Sequence, residues 1–388
     1  MKKAVHFGAG SIGRGFIGDL LHDSGYEITF IEVSPVLLEQ INQTHSYDLY
    51  LIDRNYEKKV IDNVSAVSPV VDEEKAIQAI VEGSILTTSV WADNLQHIAP
   101  TIAKGLKRRL RANGQKINVL ACENALFATD MLKHDLLHCG VDIAEEELER
   151  IACFPNTAVD RMVFDVTVDG KRAVEIGSEH ELVIEKNKLA DPAEEPIQGA
   201  VYTDNLQKFL ERKLYITNCS HAIAAYLGYL KGYAYLQEAL ADEDIHRQVL
   251  AAIGESAEML SLKYGFSREE LQDYIRFVIG RFMTPGVKDP ITRVARSPVR
   301  KLDPSDRLAG PATACEKLGV ENKYLCRGIA AALLFENPED RQAVEMQTYI
   351  ENRGIEQAIQ HYTKIGPDAK SYAQIITSYN ELSSSKQK

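Results

Sequence analysis

The sequence predicts an α/β fold for the first half of the chain and a mostly α-helical second half. Three observations carry this prediction. A short apolar strand at the N-terminus opens directly into the glycine-rich run Gly8-Ala9-Gly10-Ser11-Ile12-Gly13. Apolar strands then alternate with helical patterns, the rhythm of a parallel sheet with helices on both faces. From about Thr203 onward the pattern is helical almost to the end. At roughly 150 residues per domain, 388 residues suggest two domains or three. Residues 1–200 are expected to form a Rossmann-type dinucleotide-binding domain with strand insertions, and residues 201–388 a mostly helical substrate-binding and catalytic domain.

Taken in order, Lys3 to Phe7 is the first strand and a helix follows from about Arg14 to Ser24. Tyr26 to Val33 is the second strand, and Pro35 stands where a helix can begin, because its fixed φ suits a first helical turn. Ser84 to Thr88 and Ile117 to Ala121 are further strands, each followed by a helical pattern. Two segments interrupt the rhythm. Tyr47 to Ile61, with Asp53-Arg54-Asn55 between apolar runs, reads as an inserted hairpin. Phe164 to Ile184 reads as several short strands turned at Asp169-Gly170 and Gly177-Ser178, extending the sheet. Leu189 to Ala200 holds two prolines, a glycine and three acids, which suits an exposed linker. Prolines between Pro285 and Pro304, and Pro311, separate the later helices. Gly328 to Phe335 suits a buried helix segment, and the polar tail Ser383 to Lys388 is expected to fray.

Composition narrows the function. Lys plus Arg is 44 against 56 for Asp plus Glu, a net charge of −12. A broad nucleic-acid surface needs a basic footprint, which this chain lacks. The six cysteines form no C-x-x-C pair and no secretory signal precedes them, so they read as thiols in a reducing, cytoplasmic setting. No stretch is apolar enough to span a membrane. Lys107-Arg108-Arg109 and Glu145-Glu146-Glu147 read as solvated helix faces.

The glycine run fits G-x-G-x-x-G between a strand and a helix. Gly8 permits the tight turn, Gly10 lets the backbone approach a pyrophosphate, and Gly13 allows close helix–strand packing. The helix N-terminus then offers free N–H groups to the phosphates. Glu32 lies about 20 residues on, where an acid accepts hydrogen bonds from the adenosine ribose and repels a 2′-phosphate, favouring NAD over NADP. The same fingerprint serves flavins, and a glycine turn without a ligand is the plainer alternative.

A second constellation is Lys213-Leu214-Tyr215-Ile216-Thr217-Asn218-Cys219-Ser220-His221. At about 100° per residue, Asn218 and His221 lie about 60° apart and Lys213 about 80° beyond His221. A lysine, an amide and an imidazole thus share one arc of an otherwise apolar helix. Taken singly, each reads as a solvated or satisfied polar group. Asn156, in Phe154-Pro155-Asn156, follows a strand, so its side chain can point from a strand end into a crevice.

These blocks together resemble the polyol-specific long-chain dehydrogenase family. The resemblance runs through His6 to Gly18, His45-Ser46-Tyr47, Ala121-Cys122-Glu123-Asn124, Phe154-Pro155-Asn156 with Val159-Asp160-Arg161, the Lys213, Asn218 and His221 set, and Arg300-Lys301-Leu302 with Asp306-Arg307-Leu308. It implies metal-free, NAD-dependent oxidation of a secondary alcohol in a cleft between the domains. Lys213 is then the general base, Asn156 and Asn218 steady the developing alkoxide, and His221 positions the substrate oxygen. Gly8, Gly10, Ser11, Ile12, Gly13, Glu32 and Asn124 hold the cofactor. Arg293 and Lys301 match positions that contact sugar hydroxyls, which leaves Arg296 and Arg300 as cations for a phosphate. The chain length fits the family's phosphate-specific branch, whose reaction is the oxidation of D-mannitol 1-phosphate to D-fructose 6-phosphate. Ser297 departs from the acidic residue more usual in the family. A related non-phosphorylated hexitol or hexonate is the alternative substrate, and an NAD-binding sensor the alternative outside catalysis.

Overall fold

A computed structural model describes residues 2–284 and 286–386. The chain divides into two compact units between Phe209 and Leu210.

The first unit is built on a six-stranded sheet of β1 (Lys2–Phe7), β2 (Tyr26–Ile31), β5 (Val64–Val67), β6 (Ile85–Thr88), β7 (Ile117–Ala121) and β8 (Ala152–Cys153). Its order is β5-β2-β1-β6-β7-β8 and every pairing is parallel. A parallel sheet covered on both faces favours strands that are apolar almost throughout, and β6 and β7 are buried at every residue. The chain order reverses between β1 and β6, so the carboxyl ends of these two strands flank the crevice where open α/β sheets take their ligands.

One face carries α3 (Glu73–Glu82), α4 (Leu95–Arg111), α5 (Ala128–His138) and α6 (Glu145–Ile151), packed through Ile80, Leu106, Leu132 and Leu148. The other face is not covered by helices alone, as the rhythm of the sequence predicted. Alongside a helix over 11–23, which includes α1 (Asp19–Asp23), and α2 (Pro35–Thr44), a second sheet packs there. That sheet joins β11 (Val201–Thr203), β10 (Lys171–Glu185), β3 (Tyr47–Leu51) and β4 (Glu57–Ile61), with β9 (Thr157–Val168) also paired to β10. The expected hairpin at Tyr47 to Ile61 is present as β3 and β4. The expected run of short strands is instead two long ones. Asp169-Gly170 does turn the chain, but Gly177-Ser178 sits in a register irregularity inside β10. A bulge and a turn draw on the same residue types, so composition alone misassigns it.

Three further expectations change. Leu189 to Ala200 is no free linker, because Leu189 and Ile197 are buried in the first unit's core. Arg109 is buried rather than solvated, and its guanidinium donates to the carbonyls of Val81 and Gly83 at the end of α3 and of Gln115 after α4. The tail from Ser383, expected to fray, continues as helix in Lys370–Lys386; residues 387 and 388, like Pro285, lie outside the described residues.

The second unit is helical. After α7 (Leu206–Arg212), which carries the chain into it, α8 (Cys219–Leu230) is buried nearly all round, as a helix apolar on every face must be. Around it pack α10 (Glu243–Tyr264), next after α9 (Leu236–Ala241), and a helix over Lys323–Leu333 that contains most of the expected buried run. Two shorter helices bear most of the expected substrate cations. Numbered in order after α11 (Arg268–Phe282), they are α12 (Ile291–Ala295) and α13 (Pro298–Leu302). Of the six cysteines, all free, Cys122, Cys219, Cys315 and Cys326 are buried.

Candidate active site

The glycine loop has the geometry a dinucleotide requires. Gly8 has φ +95°, and its N–H donates to the Ile31 carbonyl at 2.8 Å, tying the turn to the end of β2. A Cβ on Gly13 would overlap the Gly8 carbonyl, so only glycine lets the helix start this close to β1. A Cβ on Gly10, by contrast, would meet nothing within 4 Å. The backbone there is bare toward open space, as a pyrophosphate lying against it demands. Ser11 and Ile12 are half-buried beside it and Asn124 is exposed.

Glu32 directly follows β2. Its Oε2 accepts the Ala9 N–H at 2.6 Å, and its Oε1 accepts those of Val33 and Ser34 at 2.8 Å each. A carboxylate has about four lone-pair positions. Three are taken by the backbone, leaving one open on Oε2.

Beneath the loop, His6 is fully buried on β1, with Nδ1 2.7 Å from Thr87 Oγ1 and Nε2 2.8 Å from Ser89 Oγ. Burial pushes its pKa down to about 3, so the imidazole is neutral. Arg14 is also fully buried; its Nε donates to the Ala9 carbonyl at 2.7 Å and its Nη2 to Asp165 at 2.8 Å. Glu123, two residues beyond β7, accepts from Thr88 Oγ1 at 2.8 Å and from the Val90 and Trp91 N–H groups at 2.9 Å each. Burial raises its pKa against these bonds. Sequence reasoning gives Glu123 no role, although an acid closing an otherwise apolar strand is the available signal.

Asn156 lies between β8 and β9 and is fully buried. Its Oδ1 accepts the Asp130 N–H at 3.2 Å and its Nδ2 donates to Glu185 at 3.3 Å, which fixes which way the amide points. The second amide hydrogen has no acceptor among the described residues.

In the second unit, the helix bearing the lysine is not regular. Lys213–Asn218 is a π-helical turn between α7 and α8. Its i→i+5 bonding brings Lys213 and Asn218 toward one line, whereas α-helical spacing would separate them by about 140°. The arc predicted from the sequence is therefore tighter than regular spacing allows. His221, half-buried in the first turn of α8, has Nε2 3.1 Å from Asp289 Oδ2 and stacks on Phe282 at 4.7 Å. Burial lowers its pKa, and the Asp289 bond opposes that shift.

The expected substrate cations differ in their commitments. Arg293 is forked onto Asp289, Nε to Oδ1 at 2.7 Å and Nη2 to Oδ2 at 2.6 Å. Lys301 is buried, its Nζ donating to the Val294 and Arg296 carbonyls. Burial, reinforced by Arg307 and Arg300, pushes its pKa down to about 7. Arg307 pairs with Asp306 at 2.7 Å, while Arg300, largely exposed, is 3.9 Å from the same carboxylate. Arg296 is exposed, and its guanidinium has no ion-pair partner among the described residues. Ser297, between α12 and α13, has φ +58° and donates its N–H to Asp340 at 2.6 Å. Among the described residues, no group of three or more His, Cys, Asp or Glu side chains is placed to hold a metal ion.

Residues 2–196 match the mannitol dehydrogenase Rossmann domain and residues 205–383 the mannitol dehydrogenase C-terminal domain. The chain belongs to the mannitol dehydrogenase family. It is an oxidoreductase of that family, with a dinucleotide-binding first unit. A mannitol-1-phosphate 5-dehydrogenase of Thermoanaerobacter pseudethanolicus is 41% identical over 384 residues, covering 98% of this chain and 98% of its own. Another, of Geobacillus stearothermophilus, is 40% identical over 366 residues, covering 94% and 96%. Among solved structures, Pseudomonas fluorescens mannitol 2-dehydrogenase, in a ternary complex with NAD and D-mannitol, superposes with a TM-score of 0.71 at 19% identity, over 100% of this chain and 94% of its own. A substrate-free D-sorbitol dehydrogenase gives 0.75 at 17%, over 99% and 91%. At these identities the two structures speak for the fold. No described helix of this mannitol dehydrogenase family member is long and apolar enough to cross a membrane.

Proposed function

We propose that the chain interconverts D-mannitol 1-phosphate and D-fructose 6-phosphate in the cytoplasm with NAD, using Lys213 as general base and no metal. The observation that carries this reading is identity near 40%, over almost the whole of both chains, to mannitol-1-phosphate 5-dehydrogenases. The bare backbone at Gly10 and the open position on Glu32 fit a dinucleotide without a 2′-phosphate. NAD, held by Gly8, Gly10, Ser11, Ile12, Gly13, Glu32 and Asn124, supplies the hydride acceptor.

The chain's own residues handle the proton and the oxygen. Lys213 takes the hydroxyl proton. Asn218 donates to the oxygen as negative charge develops, the electrostatic role of an oxyanion hole. Asn156 is assigned the same task, and its uncommitted amide hydrogen supports it. His221, held by Asp289, orients the substrate hydroxyl. For the phosphate, a dianion gains nothing from a chain of net charge −12 and needs local cations. Arg296, with no ion-pair partner, and Arg300, weakly paired, are assigned to it, beside Arg293 and Lys301 for the sugar.

The test is NADH consumption with fructose 6-phosphate, free fructose and fructuronate in parallel, and NAD reduction with mannitol 1-phosphate, mannitol and mannonate. Phosphorylated substrates should be preferred by at least a hundredfold in kcat/KM. Equal or better turnover of a non-phosphorylated partner overturns the substrate assignment.

A further inference from the structure

Trp91 is the chain's single tryptophan, and it is 79% exposed. Its φ is +74°, a conformation that a bulky residue rarely adopts without being held there. The structure holds it with unusual completeness. His6 takes the side chains of Thr87 and Ser89. Glu123 takes the side chain of Thr88 and the N–H groups of Val90 and Trp91. The Ser89 N–H donates to the Phe7 carbonyl at 2.9 Å, and Asn94 Nδ2 to the Val90 carbonyl at 2.7 Å. Five successive residues after the middle of β6 are therefore fixed by two buried side chains, His6 on β1 and Glu123 just beyond β7.

The position of the fixed loop is informative. It leaves the carboxyl end of β6, directly across the crevice from the glycine turn after β1. The two loops touch: a Cβ on Gly8 would approach Ser89 O to 2.7 Å and Val90 Cγ1 to 3.0 Å. A large exposed aromatic, held in a strained conformation by a buried carboxylate, would be a stability cost without return if it faced only water. An indole beside a site for a planar, partly apolar cofactor has an evident partner.

We infer that Trp91 is a dinucleotide-contacting residue that walls the cofactor site on the β6 side, and that Glu123 is the positioning residue that holds it there. This rests on the NAD reading above. Glu123 acts through the loop and touches no substrate.

A single tryptophan makes the test direct. In the wild-type enzyme, NAD titration should quench tryptophan emission with a midpoint matching the Kd from calorimetry, and NADH should receive energy transfer from the indole. Trp91→Ala, at an exposed position, should raise Kd and KM for NAD about tenfold with kcat changed less than threefold, and Trp91→Phe should restore most of that loss. Glu123→Gln should reduce the quench amplitude and raise KM for NAD, whereas a purely structural role would leave the quench intact. Calorimetric NAD binding without any change in tryptophan emission, together with a Trp91→Ala enzyme of unchanged Kd, overturns the inference while leaving the cofactor reading in place. Wild-type protein that neither binds nor turns over NAD overturns both.

Discussion

Glu32→Gln separates the loop bracing seen at this carboxylate from the ribose contact proposed for it. Its oxygens accept three backbone N–H groups, from Ala9, Val33 and Ser34, and one position on Oε2 is open. Glutamine keeps the volume but replaces one acceptor oxygen with a donor, so at least one of those N–H groups loses its partner. A hydrogen bond to a charged group is worth about 1.5–3 kcal/mol, and a half-exposed one belongs at the low end. Stability should therefore fall by about 1–2 kcal/mol, or roughly 2–8 °C in the Tm of a unit this size. For the cofactor, one charge-assisted bond to a ribose hydroxyl is lost. At about 1.4 kcal/mol per tenfold, kcat/KM for NAD should drop about ten- to a hundredfold. NADP gains from removal of the repulsion, so the NAD-to-NADP ratio should fall further than NAD activity alone. The assay is fructose 6-phosphate reduction with NADH and NADPH on wild type and variant, with Tm measured in parallel. An unchanged coenzyme ratio, with Tm lowered, would show that Glu32 only braces the loop. A wild-type preference for NADP would refute the reasoning outright.

Lys213→Ala should lose at least a hundredfold in kcat for mannitol 1-phosphate oxidation while NAD affinity stays within about threefold, since base catalysis alone contributes about 10²–10⁴; a variant keeping a tenth of wild-type kcat removes the lysine from the mechanism. Arg296→Ala should raise KM for fructose 6-phosphate by at least tenfold, more than Arg300→Ala does, because Asp306 already shares Arg300's charge; equal kcat/KM ratios for phosphorylated and free fructose in both variants would place the phosphate elsewhere. His6 is neutral in the fold with a pKa near 3, whereas in the unfolded chain it takes a proton below about 6.5. Its contribution is thus complete above about pH 6.5 and is lost toward pH 3 at about 1.4 kcal/mol per unit. Urea denaturation of His6→Gln at pH 7, 6 and 5 should show a shallower fall than wild type, and parallel curves would contradict a buried neutral imidazole.

The parts legible in the sequence are those in which residue type and backbone geometry are bound together. A G-x-G-x-x-G run can serve only a few turns, so Gly8, Gly10 and Gly13 announced both the fold and its ligand class. Strands β6 and β7 were legible because burial on both faces favours mostly apolar runs, here broken only by Thr87, Thr88 and Asn118. What escaped were choices made by distant partners. Arg109 reads as one of three solvated cations until the carbonyls at the end of α3 come within its reach. Glu123 reads as a strand-end acid until the loop after β6 folds onto it. The π-helical turn at Lys213 was hidden for another reason: a regular 100° projection assumes the hydrogen-bond pattern that this turn abandons.

The second sheet carries a consequence for how the first unit can be cut or rebuilt. Arg14, within the glycine motif's own helix, reaches Asp165 on β9, while its carbonyl accepts the Tyr47 hydroxyl from β3 at 2.8 Å. A Cβ on the adjoining Gly15 would press to 2.6 Å against Val163 and Val174 of β9 and β10. The inserted strands are therefore a bearing surface for the nucleotide helix. A minimal fragment of the six parallel strands and their helices would strand a buried guanidinium and bare its apolar seat. Grafting this coenzyme site onto another scaffold would have to bring the insertions with it.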